Sequence, residues 1–252
     1  MEDLLAPLLQ KVFRCSKSGA YCIFIGFLCG FPMGAKSVSD LYKQGKLSKT
    51  EAETLSGFCN LFGPGYFTGI ILPVLESCSP NPMALALFFI YGMPVLYGVI
   101  LTRLMLHASD ISVKKEELEA ASSPSSLPML LAFQISCKSS VSSMLMLGGY
   151  VAICSGLAGI LHELVPAVWY GVLLPFFEIN QGILFLQAIR LPHTIKLFVI
   201  LFSVSFQGIC CMIQAAAFLS EAKLSVWKYF VYKMIYSIFV GGIIVIYLLL
   251  FY

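Results

Sequence analysis

GFPMGAKSVSDLYKQGKLSKTEAETLSGFCNLFGPGYFTGIILP, residues 30–73, decides how the chain folds, because it sets helix-breaking residues inside strongly apolar sequence. Two apolar runs meet in it, residues 19–35 and 58–75, and each would read as a membrane helix but for its interruption. Gly30-Phe31-Pro32 breaks the first and Gly63-Pro64-Gly65 the second. Proline removes a backbone donor and glycine favours other backbone angles, so both interrupt the helical hydrogen-bond ladder. Hydrocarbon has no water to satisfy the freed groups, so such a break survives only where protein packs over it or a wet cavity lies beside it. A kink made for packing and a break that lines a site both fit either run alone. Two breaks, with Lys36 and Asn60 beside them, favour a site, because paired broken helices are the best sequence-level pointer to substrate binding in secondary transporters.

Composition sets the class. Of 252 residues, 59% are hydrophobic and 12% charged, more apolar surface than a soluble domain of this size hides. The formal charge of +3 gives no reason to expect nucleic acid as a partner. Nine cysteines show neither CxxC nor Cys/His metal spacing, and most lie in apolar runs, so free thiols and no metal are expected. The start, MEDLLAPLLQKVF, is acidic and lacks a small-residue cleavage site, unlike a secretory signal.

Leu4, Leu5, Leu8, Leu9, Val12 and Phe13 share one helical face and predict a short interfacial helix. The run 19–35 is short for a span and has basic residues on both sides, which predicts a re-entrant hairpin with its tip near Gly30 to Gly34. Ser48 to Glu51 (SKTE) is a capping-box pattern that starts the helix leading to Asn60. The turn at residues 76–82 has no Lys or Arg and is expected outside; a span over 83–106 then leads to the polar linker 109–126, whose lysines place it in the cytoplasm. In the second half, a long helix over about 128–161 carries Ser136, Ser139, Ser140 and Ser143 on one face, as an interfacial turn or a pore stripe. The run 166–189 is interrupted by Pro175 and by Phe177-Glu178-Ile179-Asn180-Gln181-Gly182; a segment over 197–219 carries Ser205-Phe206-Gln207-Gly208 and Gln214; the last span covers 229–252. A faint echo of Gly30-Phe31-Pro32-Met33-Gly34 in Ser205-Phe206-Gln207-Gly208 fits either chance or an internal repeat.

GFPMGAK, LYKQGKLSKTEAETLSGFCN and GPGYFTG, followed in order by Met146 to Tyr150, Phe177 to Gly182 and Phe206-Gln207-Gly208 with Gln214, resemble the sporulation integral membrane protein family that carries the nucleoside-recognition Gate domain. That family is similar to the sporulation dipicolinate transporter and, more remotely, to concentrative nucleoside transporters. The resemblance implies movement of a small organic anion or a nucleoside-like substrate across a bacterial cell membrane or the membrane around a forespore. Family members usually carry membrane helices ahead of the GFPMGAK block, which here begins at Gly30. Phe177, Ile179 and Gln207 also depart from the family pattern.

The expectation is therefore an all-α polytopic membrane protein with broken and re-entrant helices, in halves 1–108 and 127–252 that an inverted repeat would relate. Its site is expected to draw on Gly30, Pro32, Gly34, Lys36, Asn60, Gly63, Pro64, Glu178, Asn180, Gln181, Gln207 and Gln214. Lys36 reaches the hairpin tip or snorkels to the surface, and Glu178 serves a ligand or coupling cation or else is structural, paired with Lys138 or backbone. No nucleophile elbow, P-loop or zincin motif points to an enzyme or a cofactor. The lipid bilayer is the expected partner; a homo-oligomer and a non-transporting membrane subunit stay open.

Overall fold

The computed structural model describes residues 2–107 and 129–251; the linker expected at 109–126 lies outside the described residues. All regular structure among the described residues is helical. The helices are α1 (Glu2–Phe13), α2 (Lys17–Leu28), α3 (Met33–Lys43), α4 (Lys49–Ser56), α5 (residues 64–76), α6 (Pro82–Met105), α7 (Met129–Leu164), α8 (Ala167–Phe177), α9 (Ile179–Ala188), α10 (His193–Phe206), α11 (Gly208–Glu221) and α12 (Val226–Phe251). Within α5, Pro64–Tyr66, a π-helical turn at Phe67–Ile71 and Leu72–Glu76 follow one another without a gap. Four stretches among the described residues are long and apolar enough to cross a membrane: α6, α7, α10 continued through α11, and α12. The chain is an all-α polytopic integral membrane protein.

One order of elements occurs twice. Helices α2 and α3 pack together as a hairpin, α4 and α5 flank a break, and α6 follows; α8 and α9 then pack as a second hairpin, α10 and α11 flank a second break, and α12 follows. The run expected over 166–189 is therefore two short helices joined at Glu178, with Pro175 accommodated inside α8. The segment expected over 197–219 is divided at Gln207, whose left-handed φ of 74° ends α10.

Local chemistry explains these ends. Ser16 caps α2 by accepting from Gly19 N at 3.0 Å, and Ser48 caps α4 by accepting from Glu51 N at 3.1 Å, as the SKTE pattern predicts. Gly63-Pro64-Gly65 begins α5 rather than forming the middle of the break, which runs over residues 57–63. A proline at the first helical position loses nothing, because that amide has no partner within the helix. At Gly30, φ is 77°, a region open to glycine at no steric cost, and the chain reverses there between the hairpin arms.

The polar helix α4 is buried on every side from Glu51 onward, enclosed by α2, α3, α6 and α12 rather than by lipid. Its carboxylates are satisfied by protein: Glu51 accepts from Ser16 N at 2.7 Å, and Glu53 from Ser225 N at 3.1 Å and Lys228 Nζ at 2.7 Å. Helix α1, expected at the interface, packs Leu9, Val12 and Phe13 onto the core, with the Phe13 ring 5.3 Å from Phe58. Helix α7 is the opposite case, burying only Cys154 and Ala158 among its described side chains.

The hairpins hold the breaks at backbone distance. A side chain at Gly26 or Gly34 would run into the Cys59 carbonyl, and one at Gly182 into the Pro175 backbone. Gly26→Ala should therefore destabilise the protein by about 1–3 kcal/mol, the usual cost of overpacking. Gly148→Ala, whose added methyl meets nothing beyond its own helix within 4 Å among the described residues, should leave the melting temperature in detergent unchanged.

Candidate substrate cavity

Each break leaves backbone groups without a helical partner, and the structure meets that need by bringing the breaks together. The Gly30 tip of the first hairpin lies directly on the Gly63 backbone. Asn60 carries the next two connections: its Oδ1 accepts from Ala35 N in the first turn of α3 at 3.4 Å, and its main-chain carbonyl accepts from Gln207 Nε2. Gly208, with φ of 75°, follows; a Cβ there would stand 3.2 Å from Pro175 O and 3.6 Å from Ile179 N, so the second break rests against the tip of the second hairpin. Tyr91 OH closes the remaining end by donating to Phe62 O at 3.2 Å.

Beside this junction is a cavity of about 430 Å³. Its walls are the first hairpin tip (Cys29, Phe31, Pro32), the first break and the start of α5 (Phe62 to Tyr66), the second hairpin tip (Ile179, Asn180), α11 (Cys211, Gln214) and α7 (Leu147, Val151). The lining is mostly apolar, with Phe62 stacked on Tyr66 at 4.7 Å and few polar groups. Tyr66 OH is buried with no hydrogen-bond partner among the described residues. Gln214 Nε2 donates to the Cys210 sulfur at 3.2 Å, a weak acceptor that an oxygen of a ligand would displace.

Of the residues singled out from sequence, Pro32, Gly63, Pro64, Asn180 and Gln214 line the cavity. Gly30, Gly34, Asn60 and Gln207 build the junction behind it. Glu178 is 1% exposed and spent locally: it caps α9, accepting from Asn180 N at 3.1 Å, Asn180 Nδ2 at 2.6 Å and Gln181 N at 2.7 Å. Its backbone partners are thus the first amides of α9, not groups freed at Pro175, which lies inside α8. Gln181 turns outward and donates to Ser155 Oγ on α7 at 2.9 Å. Lys36 does not line the cavity; its ammonium meets Asp40 at 3.2 Å and Ser139 Oγ at 3.0 Å and lies over the Phe218 ring. The serine stripe of α7 thus contributes one partner to α3.

Cys29, Tyr66 and Lys233 were not singled out from sequence. Cys29 and Tyr66 adjoin the two Gly/Pro breaks, a position that marks them once those breaks are read as cavity walls. Lys233 interrupts the last apolar run as a single lysine, a rarity at membrane depth.

The chain is similar to the sporulation integral membrane protein YlbJ of Bacillus subtilis (strain 168), at 22% identity over 266 residues. The match covers 94% of this chain and 65% of that protein, so the chain spans less than two thirds of its relative's length. No family model matches the chain, and no solved structure matches it.

The junction predicts two separable effects. Gln207→Leu leaves the buried Asn60 carbonyl unpaired and should cost about 1–3 kcal/mol of stability. Glu178→Ala removes the cap of α9 and should cost about 1–2 kcal/mol. Both should lower the melting temperature in detergent, whereas Gln214→Leu, whose amide faces a thiol, should change it far less.

Proposed function

We propose that the chain is a secondary carrier for a small organic anion, a planar diacid such as dipicolinate, working by alternating access at its broken helices. The observation that carries this reading is the cavity itself: one space walled by both hairpin tips, the first break and the half-helix that follows the second. Its volume falls in the range of about 300–1,000 Å³ usual for small-molecule sites, and an apolar lining with a few polar groups is their usual character.

Helix ends supply the preference for an anion. Helices α5 and α11 begin at the junction without a side-chain cap, and α3 begins there with its Ala35 amide taken by Asn60 Oδ1. Their first amides carry the partial positive charge of a helix N-terminus, which favours carboxylates. The fourth, α9, is already neutralised by Glu178, so the favourable field lies on the other three sides. Tyr66 OH and the Gln214 amide add donors for the remaining oxygens.

The repeated order of hairpin, broken helix and span supports two related halves, 1–108 and 127–252, rocking about the cavity. Similarity to a sporulation integral membrane protein fits a place in the membranes of a spore-forming cell. A nucleoside is the second reading, favoured by the Phe31, Phe62 and Tyr66 rings, which would stack on a base, and by a lining that among the described residues holds no lysine or arginine.

Reconstitution decides among these. The purified chain in liposomes should take up labelled dipicolinate saturably above empty vesicles, and maleimide on Cys29, in the cavity wall, should block it. Uridine uptake in its place would establish the nucleoside reading. No uptake of dipicolinate, uridine or succinate by folded, inserted protein would favour a non-transporting membrane subunit.

A further inference from the structure

Lys233 sits in the membrane helix α12 and is 1% exposed. Among the described residues no carboxylate lies within ion-pair distance of it. The Tyr236 ring lies 5.3 Å from its Nζ. Helices α4, α6, α10 and α11 pack against α12. From α4 and the break after it come Cys59, within electrostatic reach of the ammonium, and Glu53, which is held by Lys228 and Ser225 N. From α6 comes Tyr97, whose hydroxyl is given to Tyr232 O at 2.7 Å. From α11 comes Cys211, again within electrostatic reach; α10 presents buried Ser203 and Ser205, and α12 itself adds Tyr229, Tyr232 and Tyr236.

This placement gives the charge leverage over the cavity. Cys211 is part of the cavity wall, and Cys59 adjoins Asn60, through which the two breaks are joined. Tyr236, whose ring lies beside the lysine, also lines a void of about 10 Å³ with Ser205 and Gln207 of the second break. A charge at membrane depth without a counter-ion is costly to maintain, and such residues mark proton and ion pathways. Releasing one proton from the ammonium leaves a neutral amine and removes that cost.

We propose that Lys233 is a proton-binding site whose protonation sets how far the cavity opens to water. The role in coupling a proton gradient to transport rests on the carrier reading; the switch itself does not. The test accordingly uses no substrate. The full chain in lipid nanodiscs is treated with a small maleimide, labelling of Cys29 in the cavity wall is divided by that of exposed Cys137 on α7, and the same ratio is followed in the Lys233 variants. In the wild type the ratio should change about threefold or more between about pH 6 and about pH 9 as the two populations exchange. Lys233→Met should hold it at the alkaline value and Lys233→Arg, which stays charged, at the acid value, both flat with pH. A flat wild type overturns the proposal, as does a wild-type pH response in either variant. If the methionine variant does not fold, the arginine variant decides alone. A wild type that switches yet takes up no dipicolinate in liposomes counts against the carrier reading and leaves the Lys233 site standing.

Discussion

Asn60 is the residue on which the architecture depends. Two membrane-depth breaks, far apart in sequence, leave main-chain groups that lipid cannot satisfy, and the hydrogen bond from Gln207 Nε2 to the Asn60 carbonyl answers that demand by joining them. The Asn60 side chain then fastens the first turn of α3 through Ala35 N. Glycines nearby permit the approach: at 26 and 34 they remove the side chains that would hold the first hairpin off its break, and at 182 the one that would part the arms of the second hairpin. The polar helix α4, which leads into Asn60, is shielded from lipid by its neighbours and has its carboxylates answered by Ser16, Ser225 and Lys228.

The same constraint that brings the breaks together makes the cavity. Half-helices that start at a common junction cannot fill the space in front of their first turns, because each chain turns away there. That space has a mostly apolar lining; α5 and α11 begin at the junction uncapped, whereas α3 has its Ala35 amide held by Asn60 and α9 has its own carboxylate. Holding the junction and lining the cavity therefore fall to different residues. Asn60, Gln207 and Glu178 are committed to holding the junction; Tyr66 and Gln214 line the cavity.

The class and the first half were legible in the sequence because their signals are local. Apolar composition points to membrane helices, Gly30-Phe31-Pro32 to a reversal and SKTE to a helix start; four helices among the described residues long and apolar enough to cross a membrane, the turn at Gly30 and the Ser48 cap answer them. The second half was less legible because its breaks carry weaker signals. Pro175, the strongest breaker by residue type, is absorbed inside α8, whereas the chain turns at Glu178, a glutamate acting as a cap. Gln207 takes a left-handed conformation that its residue type does not advertise, and its reason for doing so, the Asn60 carbonyl, is a tertiary one. Lys36 drew notice as a charge near a break, yet Asp40 and Ser139 hold it away from the cavity, and no spacing rule could foresee a partner on α7. The faint echo between residues 30–34 and 205–208 aligned a hairpin tip with a broken helix, whereas the repeated order of elements pairs the tip at Gly30 with that at Glu178 and the break at Asn60 with that at Gln207.

The central claim is that the two hairpin tips face each other across one cavity. It is tested most directly by a short bifunctional thiol reagent acting on native Cys29, with the other native cysteines replaced, together with a single added cysteine. Asn180→Cys, on the opposite wall, should cross-link to Cys29 within the chain, whereas Ala188→Cys, about 12 Å further along α9 at 1.5 Å per residue, should not. Cross-linking at position 188 but not at 180 would contradict the account.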